Sequence, residues 1–568
     1  MLEDGWSFEG RASRITSEGW VDRASSDLSS LYGRVAKRWD TGRLSLTTTL
    51  GHERTYQAWY GVPSIVANPE STEEDILTWV QGSGEYSYGA DTIRVNDLLE
   101  RRAQHNYYRY ENEVDDYRQD HHQIHLDQLL GDWNFGGVLY VTFGAGFYEQ
   151  FRQDDDLANY GLTPLVMGTD TTFVTDLVRR RWLDNTLVGT SWTLSRSTKS
   201  LSQVYGVSRS MYTGNHFGEL VWMDFAAGAK PGDEYYRSLG EKTDLSAFGK
   251  WSGQVWDLRW HAEAQMRQVL YQTSGRDNDY SVIDLRDELT FFNPKAGLTW
   301  IPSERTQGFV SAAVAHREPA RADYLDSPQD SPLRPERLLD VEAGAKTRGA
   351  RWAAGVTLYN MQYTDQLVAT GQLNDVGNVV RVNVEDSHRR GVEFETGVQV
   401  TPALRLDANA SFSQNKIAQF EETVYDYDNN FNFENIIVHE NTDIALSPHV
   451  VAMGMLTLEA PKEGVLAGLS LSLIGKHVGQ QFLDNTSNEG RALAAYMTLD
   501  AVFRAERMLS TGQNLTLSLF GNNLLDAVYS ATGWTYTYMV GGLGTETTEN
   551  FVYPQAGRHG FVTLAVAF

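Results

Sequence analysis

The sequence predicts an all-β protein, an antiparallel transmembrane β-barrel of about 22 strands with short turns at one end and long loops at the other. Three observations predict it: the composition, a sustained period-two hydrophobic pattern, and connections that alternate between tight and very long. The 568 residues include 15 Trp, 28 Tyr and 23 Phe, and 50 Gly stand against only 14 Pro. That balance suits extended sheet with many turns better than helix or disorder.

The pattern is clearest where one face is oily and the other ionic. Trp256, Leu258, Trp260, Ala262, Ala264 and Met266 share one face, and Asp257, Arg259, His261, Glu263, Gln265 and Arg267 share the other. Leu404, Leu406, Ala408, Ala410 and Phe412 alternate in the same way with Arg405, Asp407, Asn409, Ser411 and Ser413, as do Val392, Phe394, Thr396, Val398 and Val400 with Glu393, Glu395 and Gln399. A soluble sandwich alternates too, so this step establishes strands without naming their solvent.

Connection lengths name it. Tight turns are expected at 39–42, 132–136, 347–350 and 510–512, and long polar loops at roughly 54–104, 149–170, 213–247, 317–337, 416–446 and 529–556. Such loops are uncommon in compact soluble domains, whereas barrels of the outer membrane pair short periplasmic turns with long extracellular loops. About 22 strands of about 10 residues leave roughly 16 residues per connection, which fits that alternation. No repeat or linker divides the chain, so residues 1–568 are expected to form one barrel domain. In the last strand Val562, Leu564, Val566 and Phe568 share a face. Closure predicts that it pairs with the first strand, because an open edge in hydrocarbon leaves backbone groups unpaired.

Other classes are excluded. Seventy-four acidic against 48 basic side chains give a net charge of −26, which disfavours nucleic acid as a partner. The absence of cysteine removes disulfides, thiolate metal sites and cysteine nucleophiles. Every apolar run is too short for a membrane helix, and Met1-Leu2-Glu3-Asp4-Gly5-Trp6 does not open a secretory signal. No nucleophile elbow, zinc-protease helix or phosphate loop is present, so neither an enzyme nor a cofactor is expected.

Several segments then resemble the TonB-dependent outer-membrane receptors. Gly51 to Pro63 is similar to that family's third strand and following loop. Asn293-Pro294-Lys295-Ala296-Gly297-Leu298 followed by Arg317-Glu318-Pro319-Ala320-Arg321 resembles an NPKxGL … REPxR pattern. Leu338 to Gly344 with Leu358 to Tyr363 resembles the next hairpin, Asn522-Asn523-Leu524-Leu525-Asp526 to Tyr529 an NNLxDxxY motif, and Pro554 to Arg558 a PxxGR. In order, they cover nearly the whole chain. The resemblance implies a barrel in the outer membrane of a Gram-negative bacterium that, in complete members, surrounds an N-terminal plug. It also implies uptake of a ferric siderophore, cobalamin, heme or glycan, with outer-membrane lipid, the plug and the TonB complex as partners. Because strand pattern begins by about Trp6, the plug is expected to be absent from this chain. The alternative reading is a plug-free diffusion porin.

Ligand candidates are the aromatics beside the long loops, Tyr56, Trp59 and Tyr60, then Tyr107, Tyr108 and Tyr110, and finally Trp534, Tyr536 and Tyr538, with Arg317 and Arg321 as anion contacts. The bland counterpart is an interfacial aromatic girdle with arginines held in ion pairs. His121, His122 and His125 do not share a strand face, and Asp154-Asp155-Asp156 and the run Tyr425 to Asn430 lack an EF-hand's spacing. No metal site is therefore expected.

Overall fold

The computed structural model describes all residues except 1–2, 85–87, 90, 327–332, 375–376, 428–432, 462 and 543. Strands make up 69% of it and helix 8%, so the class is all-β as expected. The principal sheet has 24 strands. Contacts divide the chain into two compact units, the first comprising 1–58, 106–255 and 261–294, the second 59–105, 256–260 and 295–568.

In the first unit the antiparallel order follows the chain through Trp6–Ser17, Ser26–Trp39, Gly42–Tyr56, Val114–Leu130, Trp133–Asp156, Val174–Ser197, Leu201–Met223 and Glu234–Val255. Two aromatic rows mark one face of these strands. Near the short turns, Phe135 stacks on Trp192 at 5.5 Å and Tyr205 meets Trp133 and Trp251 at 6.3 and 5.9 Å. Farther along, Trp182 lies 4.6 Å from Phe147 and 5.8 Å from Phe217. Between the rows the same face leaves Leu139, Phe143, Val188, Val207 and Met211 44–51% exposed. Trp182 and Trp192 are ten residues apart on one strand (192 − 182 = 10). At about 3.3 Å per residue and a tilt near 40°, the rows stand about 25 Å apart, the height of an outer-membrane apolar band.

The second unit repeats the pattern. Thr306–Arg317, Glu336–Arg348, Trp352–Leu373, Val379–Gln399 and Leu404–Asp426 pair in order. Leu404 to Phe412 then pairs with Val450–Glu459 while Lys416 to Asp426 pairs with Phe433–Asp443, so those two strands prolong one stave. The ladder described for His559–Ala567 runs to Asn514–Asn522, and that for Trp6–Ser17 to Ser26–Trp39; pairing of the first strand with the last remains an expectation.

Several segments expected as loops are largely strand. Residues 213–247 are spanned by a ladder from Leu201↔Gly253 to Glu219↔Glu234, with one register shift after Gly218, leaving 224–233 as the connection. Similarly, Ser530–Met539 and Thr547–Pro554 occupy 529–556, and Trp133–Asp156 runs well into 149–170. These strands reach 24 residues, whereas about 10 suffice to span. A strand whose two faces meet the same solvent loses the alternation that marks it in the sequence. Packing above the band comes instead from local clusters such as Tyr160, Leu177, Leu220, Tyr235 and Tyr236.

Two finer expectations shift. The turn placed at 132–136 is centred on Gly131 and Asp132, with Gly131 at φ +62°, and Trp133 already begins the next strand. Trp256 is not on its strand face: it sits in the turn before Leu258–Arg276 with φ +53° and is 90% exposed. The segment 54–104, read as loop, carries the helices Ser64–Ala67, Glu73–Gln81 and Thr92–Arg101. Thr72 caps the second by accepting from the Asp75 amide at 3.2 Å while the Asp75 carboxylate accepts from the Thr72 amide at 2.8 Å. These hydrogen bonds, from the Thr72 hydroxyl first and its amide second, hold the Asp75 carboxyl below its ordinary range.

Candidate functional site

The expected ligand residues fall into separate settings. In the first unit, the Tyr56 hydroxyl donates to the Tyr110 carbonyl at 2.7 Å, and the Tyr110 hydroxyl donates to Glu149 at 2.8 Å. Asn112 and Arg180 also donate to Glu149, each at 2.7 Å, and Arg23 donates to the carbonyls of Asn106 and Tyr108. Burial, and then the bond to Glu149, push the Tyr110 hydroxyl up to about 12. This network fastens the end of the long insertion, so Tyr56 and Tyr110 serve as anchors.

In the second unit, the Trp534 indole N–H donates to the Tyr60 carbonyl at 2.7 Å and its ring stacks on Phe551 at 4.3 Å. Tyr60 meets both rings edge-on, at 5.3 and 4.9 Å, and Tyr553 donates to the Trp59 carbonyl. Trp59, Tyr60 and Trp534 thus hold the start of the insertion. Tyr536 and Tyr538 form a different group: Tyr536 shares a hydrogen bond with Tyr427, and Tyr538 lies 5.9 Å from Tyr427 and 5.8 Å from Tyr536. The sequence reading missed Tyr427, whose signal was the Tyr425-Asp426-Tyr427 run. Arg317 is exposed at the end of its strand, paired in register with Glu336, while Arg321 opens the short helix Arg321–Asp326 and is half-buried.

Polar residues singled out in the sequence take structural partners. His121 and His122 hydrogen-bond to Thr142 and Thr48, on opposite faces, and His125 to Gln123. Asp155 accepts from Arg152 and Tyr160, and Asp156 caps the amide of Ala158. Part of the Tyr425 to Asn430 run lies outside the described residues. Asp526 accepts from the Arg558 amide at 2.7 Å, and a Cβ at Gly557 would stand 2.8 Å from the same carboxylate, which explains the paired NNLxDxxY and PxxGR spacing as a joint.

The inner wall of the second unit, opposite its apolar face, holds two recesses. The larger, about 640 Å³ near the short turns, holds two ion pairs, with Lys346 at 2.8 Å from Glu395 and Arg405 at 2.7 Å from Asp407. The smaller, about 340 Å³, is lined by Tyr359, Arg389, Glu342, Glu393 and Asn415. Arg389 donates there to the neutral hydroxyl of Ser447 at 2.8 Å. A Cβ at Gly391 would stand 2.7 Å from the Tyr359 hydroxyl, so glycine lets that ring lie across the neighbouring strand. Nearby, Arg491, 6% exposed, bridges Asp484 at 2.8 Å and Glu422 at 2.5 Å. Burial opposes the charge of Arg491, but the two carboxylates outweigh it and raise its pKa. Asn485, also buried, accepts from the Ala445 amide, so the segment 479–493 is clamped at several points.

The sequence matches the family described as TonB dependent receptor-like, beta-barrel, over residues 58–524. The chain belongs to this family. Three solved structures illustrate its fold. The siderophore receptor PiuA of Acinetobacter baumannii superposes with a TM-score of 0.67 at 13% identity, covering 100% of this chain and 78% of that one. The ferric-catecholate import receptor Fiu of E. coli K12 gives 0.64 at 13%, covering 100% and 78%. The ferric yersiniabactin uptake receptor FyuA of Yersinia pestis gives 0.63 at 12%, covering 100% and 76%. At such identities the likeness carries the fold alone. No curated protein sequence matches the chain. The receptor-barrel assignment accounts for the aromatic rows, the overlong strands and the terminal joint.

Proposed function

We propose that this receptor barrel resides in the outer membrane of a Gram-negative bacterium and takes up a scarce nutrient as a chelate, a ferric siderophore foremost. The observation that carries the reading is the family match across 58–524. On this reading residues 1–568 form the barrel domain, a plug completes it, the TonB complex drives transport, and the chain performs no catalysis. Tyr427, Tyr536 and Tyr538 supply aromatic faces to the incoming chelate, and Arg389 beside Tyr359 supplies a cation within an otherwise acidic protein. The net charge of −26 makes such a local cation necessary for an anionic chelate.

The test is growth of an iron-starved, receptor-deficient host expressing the complete protein. Ferric catecholate, hydroxamate and citrate chelates are supplied singly, with and without TonB. TonB-dependent growth on one chelate, lost when Arg389→Gln is introduced, supports the reading. Growth on all three without TonB marks a diffusion porin instead.

A further inference from the structure

We infer that the apolar face of the second unit carries a seat for a lipid headgroup that ends in a phosphate monoester, built on the exposed Arg337 and Arg390 with His388 and Lys416 beside them. Cross-strand register places these side chains. Ala345, Val356, Phe394 and Ala410 form one row, and Ala343, Leu358, Val392 and Phe412 the row above it. The next row is Val341, Asn360, Arg390 and Gln414, followed by Leu339, Gln362, His388 and Lys416, and then by Arg337, Thr364 and Asp386. All five rows share a face, since side chains alternate and each row is two residues from the last. Leu358, Phe394 and Phe412 on it are 56%, 49% and 47% exposed. The face therefore changes from apolar to basic within one row, about 6.6 Å along the strand.

The charge is unusual for this protein. Against an overall −26, the patch gathers three permanent cations and three histidines, His316, His388 and His449, with Asp386 and Asp443 as its acids. Lys416 and His449 both contact Asp443, at 2.9 and 3.0 Å. Arg390 binds a neutral group instead, donating from Nε and Nη2 to the Gln414 amide oxygen at 2.8 and 2.5 Å. The buried Nε2 of His388 has no hydrogen-bond partner. A guanidinium oriented by an amide and exposed at the rim of an apolar band suits a phosphate monoester. Continuity with that band selects a lipid: acyl chains lie on Leu358, Phe394 and Phe412 while the phosphate meets Arg390 and Arg337. A free anion would have no use for the band.

The inference rests on the membrane location proposed above, so insertion of the full chain into lipid nanodiscs is scored first. Failure to insert sinks the location; insertion lets the headgroup question be asked alone. The probes are phosphatidic acid and phosphatidylcholine of identical chains, with bound lipid measured by native mass spectrometry after detergent exchange. Phosphatidic acid should be retained preferentially. Arg390→Gln with Arg337→Gln should cut that retention roughly fivefold per arginine, with an unchanged unfolding temperature. Should the double variant fail to fold, Arg337→Gln alone serves, because Arg337 lies exposed. Equal retention of the two lipids, or undiminished retention in the variants, overturns the seat. Displacement of the lipid by inorganic phosphate at comparable concentration overturns its assignment to a lipid.

Discussion

Within the aromatic rows of the first unit the sheet separates two solvents, whereas in the hairpin of Leu201–Met223 with Glu234–Val255 its far end stands in one. In the band, Leu139, Phe143 and Val188 stay exposed on one face and polar residues such as His121 and Thr142 hydrogen-bond on the other. Above it, Tyr160, Leu177 and Tyr235 are buried in a small cluster, and burial raises the Tyr160 hydroxyl's pKa. The band is held by its medium and by ladder hydrogen bonds. The protruding parts are held by clusters, clamps and caps of ordinary aqueous kind.

That contrast sets the order of the expected effects. The largest belongs to a clamp. Arg491→Ala leaves the buried Asp484 without its cation and Glu422 with His439 alone, a loss of about 3–5 kcal/mol for a buried pair. Limited proteolysis should cut within 479–493 while the band resists; cleavage no faster than wild type would break the comparison. Next comes Phe394→Arg in the band, expected to cost about 2–4 kcal/mol of stability in lipid vesicles. The same change at Val438, exposed on Phe433–Asp443, should stay within about 0.5 kcal/mol. Equal costs would erase the distinction between the two solvents.

The smallest effect is a cap. Thr72→Ala should remove about 1 kcal/mol from the helix Glu73–Gln81, read as faster amide exchange confined to that helix. Asp75, with its folded pKa lowered, contributes above its unfolded value near 4. Its share is therefore lost as the pH falls from there through the folded value. Exchange in that helix should quicken over this acid range in wild type. A flat profile would remove Asp75 from the cap.

The same contrast explains what was legible in the sequence. Leu258 to Met266 and Leu404 to Phe412 betray strands because their two faces meet different media. Residues 218–236, past the row of Trp182 and Phe217, do not, because two faces in one solvent remove the period. The insertion's helix was legible in principle, since Ser71-Thr72-Glu73-Glu74-Asp75 before Ile76 is a capping box, but the length and polarity of the segment masked it. Of the site, aromatic identities were visible and partners were not. Trp534 and Tyr60 meet only because the fold brings together residues separated by most of the chain, and Tyr427 joins Tyr536 for the same reason.

The tripeptide His388-Arg389-Arg390 is divided by the pleat, with Arg389 against Ser447 and its neighbours on the apolar side. One inserted codon earlier in Val379–Gln399 would exchange those faces. It would turn Glu393 and Glu395 onto the apolar face and Val392 and Phe394 onto the polar one. The alternation from Val392 to Glu395, rather than the basic tripeptide before it, thus fixes which of two adjacent alignments the strand can take.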